Sequence, residues 1–178
     1  MKKLLSIAGL VLGIIFALHH HAMAQSGDIK LGGGLVFGTG VFDIDEIDNS
    51  LGIRAEGIYS INQDFRAGAD LTFFFPNSEG DFKATLFAIN LNGNYLFYSE
   101  EGLTAYGLAG LNIAIISLDG PTISGFDTST SDSEIGLNLG GGVEYALDFA
   151  DLFGELKFGG LGGNADQFVI GAGLRFPI

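Results

Sequence analysis

Residues 52–75, GIRAEGIYSINQDFRAGADLTFFF, set full charges against apolar side chains with a period of two. Arg54, Glu56, Arg66 and Asp70 share one parity, and Ile53, Ala55, Tyr59, Phe65, Ala67, Ala69, Leu71 and Phe73 share the other. Successive side chains of a strand point to opposite faces, so the stretch reads as two strands joined by the short turn Asn62-Gln63-Asp64. One face meets something as apolar as a lipid tail, and the other keeps ions wet or paired.

The same alternation recurs along the chain, giving eight strand-like runs near residues 28–38, 51–61, 65–75, 82–98, 103–118, 134–147, 152–160 and 167–177. Most are long for a soluble strand and suit a tilted strand crossing a bilayer, which takes about 9–11 residues. The connections alternate as well. TGVFDIDEIDNS, PNSEGD, DGPTISGFDTSTSDS and GLGGNADQ are longer, while NQD, SEEG and DFAD are short. Membrane barrels have that asymmetry, with short turns on the periplasmic side and longer loops outside.

Alternation alone fits two closed barrels: a lipocalin-like one with its apolar face inward, and a membrane barrel with that face outward. The polar face decides between them. It carries Lys30, Arg54, Glu56, Arg66, Asp70, Glu144, Glu155, Lys157 and Arg175, several Asn, and many Gly between the charges. Glycines make poor solvated strands but leave room for long charged side chains in a narrow lumen. Tyr59, Phe65, Phe75, Tyr95, Phe97, Tyr145, Phe168 and Phe176 near strand ends fit interfacial girdles. The predicted fold is an all-β, eight-stranded antiparallel up-and-down transmembrane β-barrel.

Residues 1–24 read as a signal peptide, with Lys2 and Lys3, an apolar run, and Ala22 and Ala24 before a cut ahead of Gln25. The barrel domain is then residues 25–178. His19, His20 and His21 fall inside the leader, which leaves the mature part without His or Cys, and so without thiolates, imidazole bases or the usual zinc ligands. Six basic residues remain against 21 acidic ones, a net of −15. Nucleic acid is excluded as a partner, because phosphate binding rests on clustered Lys and Arg.

IKLGGGLVFG after AMAQ, then LNLGGGVEYALDFADLFGELKFGGL and the closing FVIGAGLRFPI, resemble the small outer-membrane β-barrel domain proteins common in Bacteroidota, similar in shape to the OmpA transmembrane domain and OmpX. These glycine and aromatic patterns span nearly all of the mature chain, and they imply a place in the cell outer membrane more than a task.

Each candidate for chemistry has a plainer reading. Glu56 with Asp70, or Glu144 with Glu155, offer acid–base pairs. Inward charges of both signs pair with one another in a closed barrel, so these acids read as parts of a lumen charge network and the protein as no enzyme. Asp43, Asp45, Glu46 and Asp48 in DIDEIDNS offer oxygen ligands for a hard cation, but Ile47 occupies an expected EF-hand ligand position and no Gly follows, so a solvated acidic loop is expected. No metal or cofactor site is expected. A two-residue turn at Ala150 and Asp151 would set Glu144 opposite Lys157, with Arg175 beside Glu155 and with Arg54 and Glu56 in reach of Asp70 and Arg66. The functional expectation is a monomer embedded in outer-membrane lipid, structural or meeting an extracellular partner through its acidic loops. The alternative is a narrow porin-like conduit for small solutes.

Overall fold

The computed structural model of the chain describes residues 27–39, 49–79, 82–119, 129–163 and 166–178. They form eight strands: β1 (Ile29–Thr39), β2 (Asn49–Ser60), β3 (Phe65–Glu79), β4 (Phe82–Glu100), β5 (Leu103–Asp119), β6 (Ser129–Ala146), β7 (Asp151–Leu161) and β8 (Gln167–Pro177). Each strand pairs antiparallel with the next in sequence, and β1 pairs with β8, so the sheet closes on itself in the predicted up-and-down order. Closure leaves no edge within the wall, which a surface in hydrocarbon requires because nothing there can satisfy a free backbone group.

The two faces sort as the alternation dictates. Leu31, Leu35, Ile53, Leu71, Leu111, Leu137, Leu139, Leu156 and Ile170 are exposed around the outside, an apolar girdle that only lipid tails or a partner of equal apolarity would cover. Phe65 stacks near Tyr95, and Phe158 near Phe168, each pair with centroids 5.1 Å apart. The inner face buries polar side chains: Arg54, Asp70, Asn90, Glu144, Glu155, Lys157 and Arg175 all lie at 6 % exposure or less.

The strands outrun their predicted ends. β3 continues to Glu79 through Pro76, and β6 begins at Ser129, inside the stretch read as a loop. β5 and β6 pair as far as Asp119 and Ser129. Once a strand leaves the bilayer both of its faces meet water, so apolar alternation stops marking it. β3–β6, at 15 to 19 residues, therefore stand taller than β1, β2, β7 and β8, at 11 or 12.

Candidate functional site: the charged lumen

Five cations and five carboxylates of the described residues meet inside the barrel. Arg175 on β8 is the hub. Its Nε donates to Glu56 Oε1 at 2.6 Å and its Nη2 to Glu56 Oε2 at 3.2 Å. Its Nη1 donates to Glu144 Oε1 and, at 3.1 Å, to the Tyr106 hydroxyl. The guanidinium stacks over Phe153 with 4.1 Å to the ring centroid, an attraction that strengthens where water is excluded.

Glu144 on β6 gathers three cations. Besides Arg175 it accepts from Arg66 Nη1 at 2.9 and 2.8 Å, and Lys30 Nζ lies 3.4 Å away. Lys30 also reaches Asp151 at 2.5 Å. Deeper in the wall, Arg54 Nη1 donates to Glu155 Oε1 at 2.7 Å, and Tyr106 donates to Glu155 Oε2 at 3.0 Å. Asp70 is held mainly by neutral donors, Asn90 Nδ2 at 2.7 Å and Thr72 Oγ1 at 3.0 Å, with Lys157 Nζ at 3.5 Å and Arg54 Nε at 3.8 Å. An Asn ladder follows, in which Asn112 and Asn138 both donate to Asn90 Oδ1.

All nine sequence-predicted lumen residues thus face inward and take part in ion pairs, but not always with the expected partner. Arg54 does approach Asp70, and Arg175 does approach Glu155, at 3.7 Å. Glu144 stands opposite Phe153, not Lys157, and Lys157 stands opposite Gly140. The turn is four residues, with Leu147 N donating to Ala150 O at 2.8 Å, and Asp151 is already a strand residue drawn toward Lys30. Glu56 and Asp70 face each other across β2 and β3, a like-charge pair made tolerable by Arg54 and Arg175. Arg66 passes over Glu56 to Glu144, because in a narrow barrel the far wall is as close as the neighbouring strand.

Asp151, Tyr106 and Phe153 escape a reading that assigns aromatics to lipid and turn acids to solvent. Parity alone would have found them, since each shares the inward parity of its strand. One apolar cluster lies beyond the charges and another lies among them. Val36, Phe74, Leu86, Ala114 and Val169 pack together toward the long-connection end, and Leu96, Tyr106 and Leu108 toward the short-turn end. The leader, the His19–His21 tract and the acidic positions Asp43, Asp45, Glu46 and Asp48 lie outside the described residues. Among the described residues no group of three or more His, Cys, Asp or Glu is arranged to hold a metal ion.

The eight-stranded wall of this chain has counterparts among solved structures. The chain is similar to OprG of Pseudomonas aeruginosa (TM-score 0.64, 15% identity, 86% of this chain and 97% of that one). It is also similar to Ail of Yersinia pestis, solved in complex with the heparin analogue sucrose octasulfate (TM-score 0.58, 18% identity, 85% and 100%), and to Neisserial surface protein A (TM-score 0.58, 18% identity, 85% and 97%). At these identities the likeness is one of fold. No curated protein sequence matches the chain. The family model for the outer membrane protein beta-barrel domain matches residues 8–176, and with a closed eight-stranded wall girdled in apolar side chains the chain belongs to that family and resides in the outer membrane.

Proposed function

We propose that the protein is a closed, monomeric outer-membrane barrel, neither enzyme nor pore, which meets a cationic partner through the long connections at its outer end. The observation that carries this reading is how charge is divided. Inside, Lys30, Arg54, Arg66, Lys157 and Arg175 balance Glu56, Asp70, Glu144, Asp151 and Glu155, tied across the lumen by short contacts. The network acts as a plug, and the apolar layer around Phe74 dries its outer side. The carboxylates that suggested acid–base chemistry are each engaged by cations or amides.

The whole negative excess therefore lies outside this balanced network. Asp43, Asp45, Glu46, Asp48, Glu79, Asp81, Asp119, Asp127, Asp132, Glu134 and Asp166 belong to the outer ends of strands or their connections, with Lys83 as the one cation there. A field of one sign repels polyanions and steers cations. This chain consequently suits a basic partner, not a polysulfated one of the kind found with Ail. Direct contact with anionic headgroups at that end would need divalent cations as bridges. Residues 1–24 serve as the export leader, removed before Gln25.

Cysteines carrying a photo-crosslinker at Asp45 and Asp132 on intact cells test this. Adducts with one macromolecular partner are expected from both positions and none from Gln63 or Glu101. Adducts from neither pair, in a protein that conducts ions, would transfer the function to a narrow conduit.

A further inference from the structure

Beside the ion pairs lies a cavity of about 10 Å³ bordered by Glu56, Asp70, Asn94, Glu155 and Arg175, about the space that one water centre occupies. Asn94 is 4 % exposed, and its Oδ1 has no hydrogen-bond partner among the described residues. A desolvated carbonyl oxygen without a donor is costly, so a donor belongs there.

None of the lining side chains reaches that oxygen with a donor. The three carboxylates are acceptors, and Asn92 Nδ2 is turned to Asp70 at 3.4 Å. Arg175 spends Nε on Glu56 and Nη1 on Glu144 and Tyr106. One N–H of its Nη2 goes to Glu56, and only a long 3.7 Å approach to Glu155 engages the other. The occupant must therefore be small, must donate at least once, and has one donor available to accept from. Charge decides the rest. Glu56, Asp70 and Glu155 are matched by Arg175, Arg54 and Lys157 in contact with them, so the surroundings are neutral and favour a neutral guest over a cation.

We propose that this cavity binds one internal water, which donates to Asn94 Oδ1 and to a lining carboxylate and accepts from Arg175. Such a water makes the three bonds usual for a buried one and joins β4 to the Arg175 hub without a direct contact.

Two measurements on the full barrel decide it. In crystals grown with thallium acetate, density within hydrogen-bond distance of Asn94 Oδ1 and free of anomalous signal supports the water. Anomalous density there would overturn it in favour of a monovalent cation. An Asn94 amide donating directly to a carboxylate, with no density beside it, would overturn it too. In nanodiscs, the Asn94 side-chain amide should give a cross-peak to a slowly exchanging water, lost in Asn94→Leu. No cross-peak in the wild type contradicts the site, so the test survives a variant that fails to fold.

Discussion

Arg175 and Glu56 form their bidentate pair across β1, at the seam where the last strand meets the first, and Gly32 lies between them. Gly32 stands opposite Glu56 on one side and opposite Arg175 on the other. A Cβ on Gly32 would come within 2.8 Å of Glu56 Oε1 and 3.0 Å of Arg175 Cγ. The missing side chain is what lets a guanidinium and a carboxylate from strands two apart meet over the closing seam.

Gly32→Leu is therefore expected to push the pair apart and to destabilise the barrel about as much as Arg175→Ala. Breaking one partner of a buried pair costs roughly 3–5 kcal/mol in a dry site and less if water enters. Both variants should lose the heat-resistant folded band on a gel at lower temperature than wild type. Gly57→Ala, whose added Cβ would meet nothing closer than Leu31 Cδ2 at 3.6 Å, should not.

Removing Glu144 should hurt more than removing Lys157. Glu144→Ala takes a shared carboxylate from three cations: Arg66 loses the acid that holds it, while Lys30 keeps Asp151 and Arg175 keeps Glu56. Lys157 makes one long contact, its Nζ has no hydrogen bond among the described residues, and Asp70 keeps Asn90 and Thr72 without it. An ammonium buried with one long ion contact and no hydrogen bond carries its own desolvation cost, and relief of that cost offsets the charge left on Asp70. Urea titrations in detergent should place Glu144→Ala well below wild type and Lys157→Met within about 1 kcal/mol of it or above.

The outer apolar layer is a second prop. Phe74, at 1 % exposure, packs with Val36, Leu86 and Val169, so Phe74→Ala should cost about 3–5 kcal/mol by loss of burial and creation of a cavity. The same titration checks it. A loss under about 1 kcal/mol would mean that the layer is already wet.

Parity made the wall legible, because a strand between lipid and a narrow lumen cannot hide which face is which. Every predicted lumen charge from Lys30 to Arg175 takes part in an ion pair inside the barrel. Register was another matter. Turn length fixes it, and nothing local in DFAD distinguishes a two-residue from a four-residue turn, so Glu144 lost Lys157 as its opposite and gained Arg66. Pairs that span the lumen, such as Arg66 with Glu144, depend on barrel diameter, which no single hairpin encodes. The upper reach of β6, Ser129–Ser133, was illegible because Ser, Thr and Asp on both faces carry no period.

Orientation follows from the connections. Cysteine at Asp45, Lys83 or Thr128 should react with an impermeant maleimide on intact cells, and cysteine at Gln63 or Glu101 only after the outer membrane is opened. The opposite pattern would invert the barrel and move the acidic end to the periplasm.

Conductance across a planar bilayer measures the closure of the lumen most directly. Purified, folded wild type should give no resolvable ion steps at moderate voltage, because ion pairs and the outer apolar layer fill the path from Lys30 to Phe74. Steady, voltage-independent conductance of the wild type, with Arg175→Ala and Glu144→Ala as heat-resistant as the parent, would contradict the plug and make the charged side chains the lining of a channel.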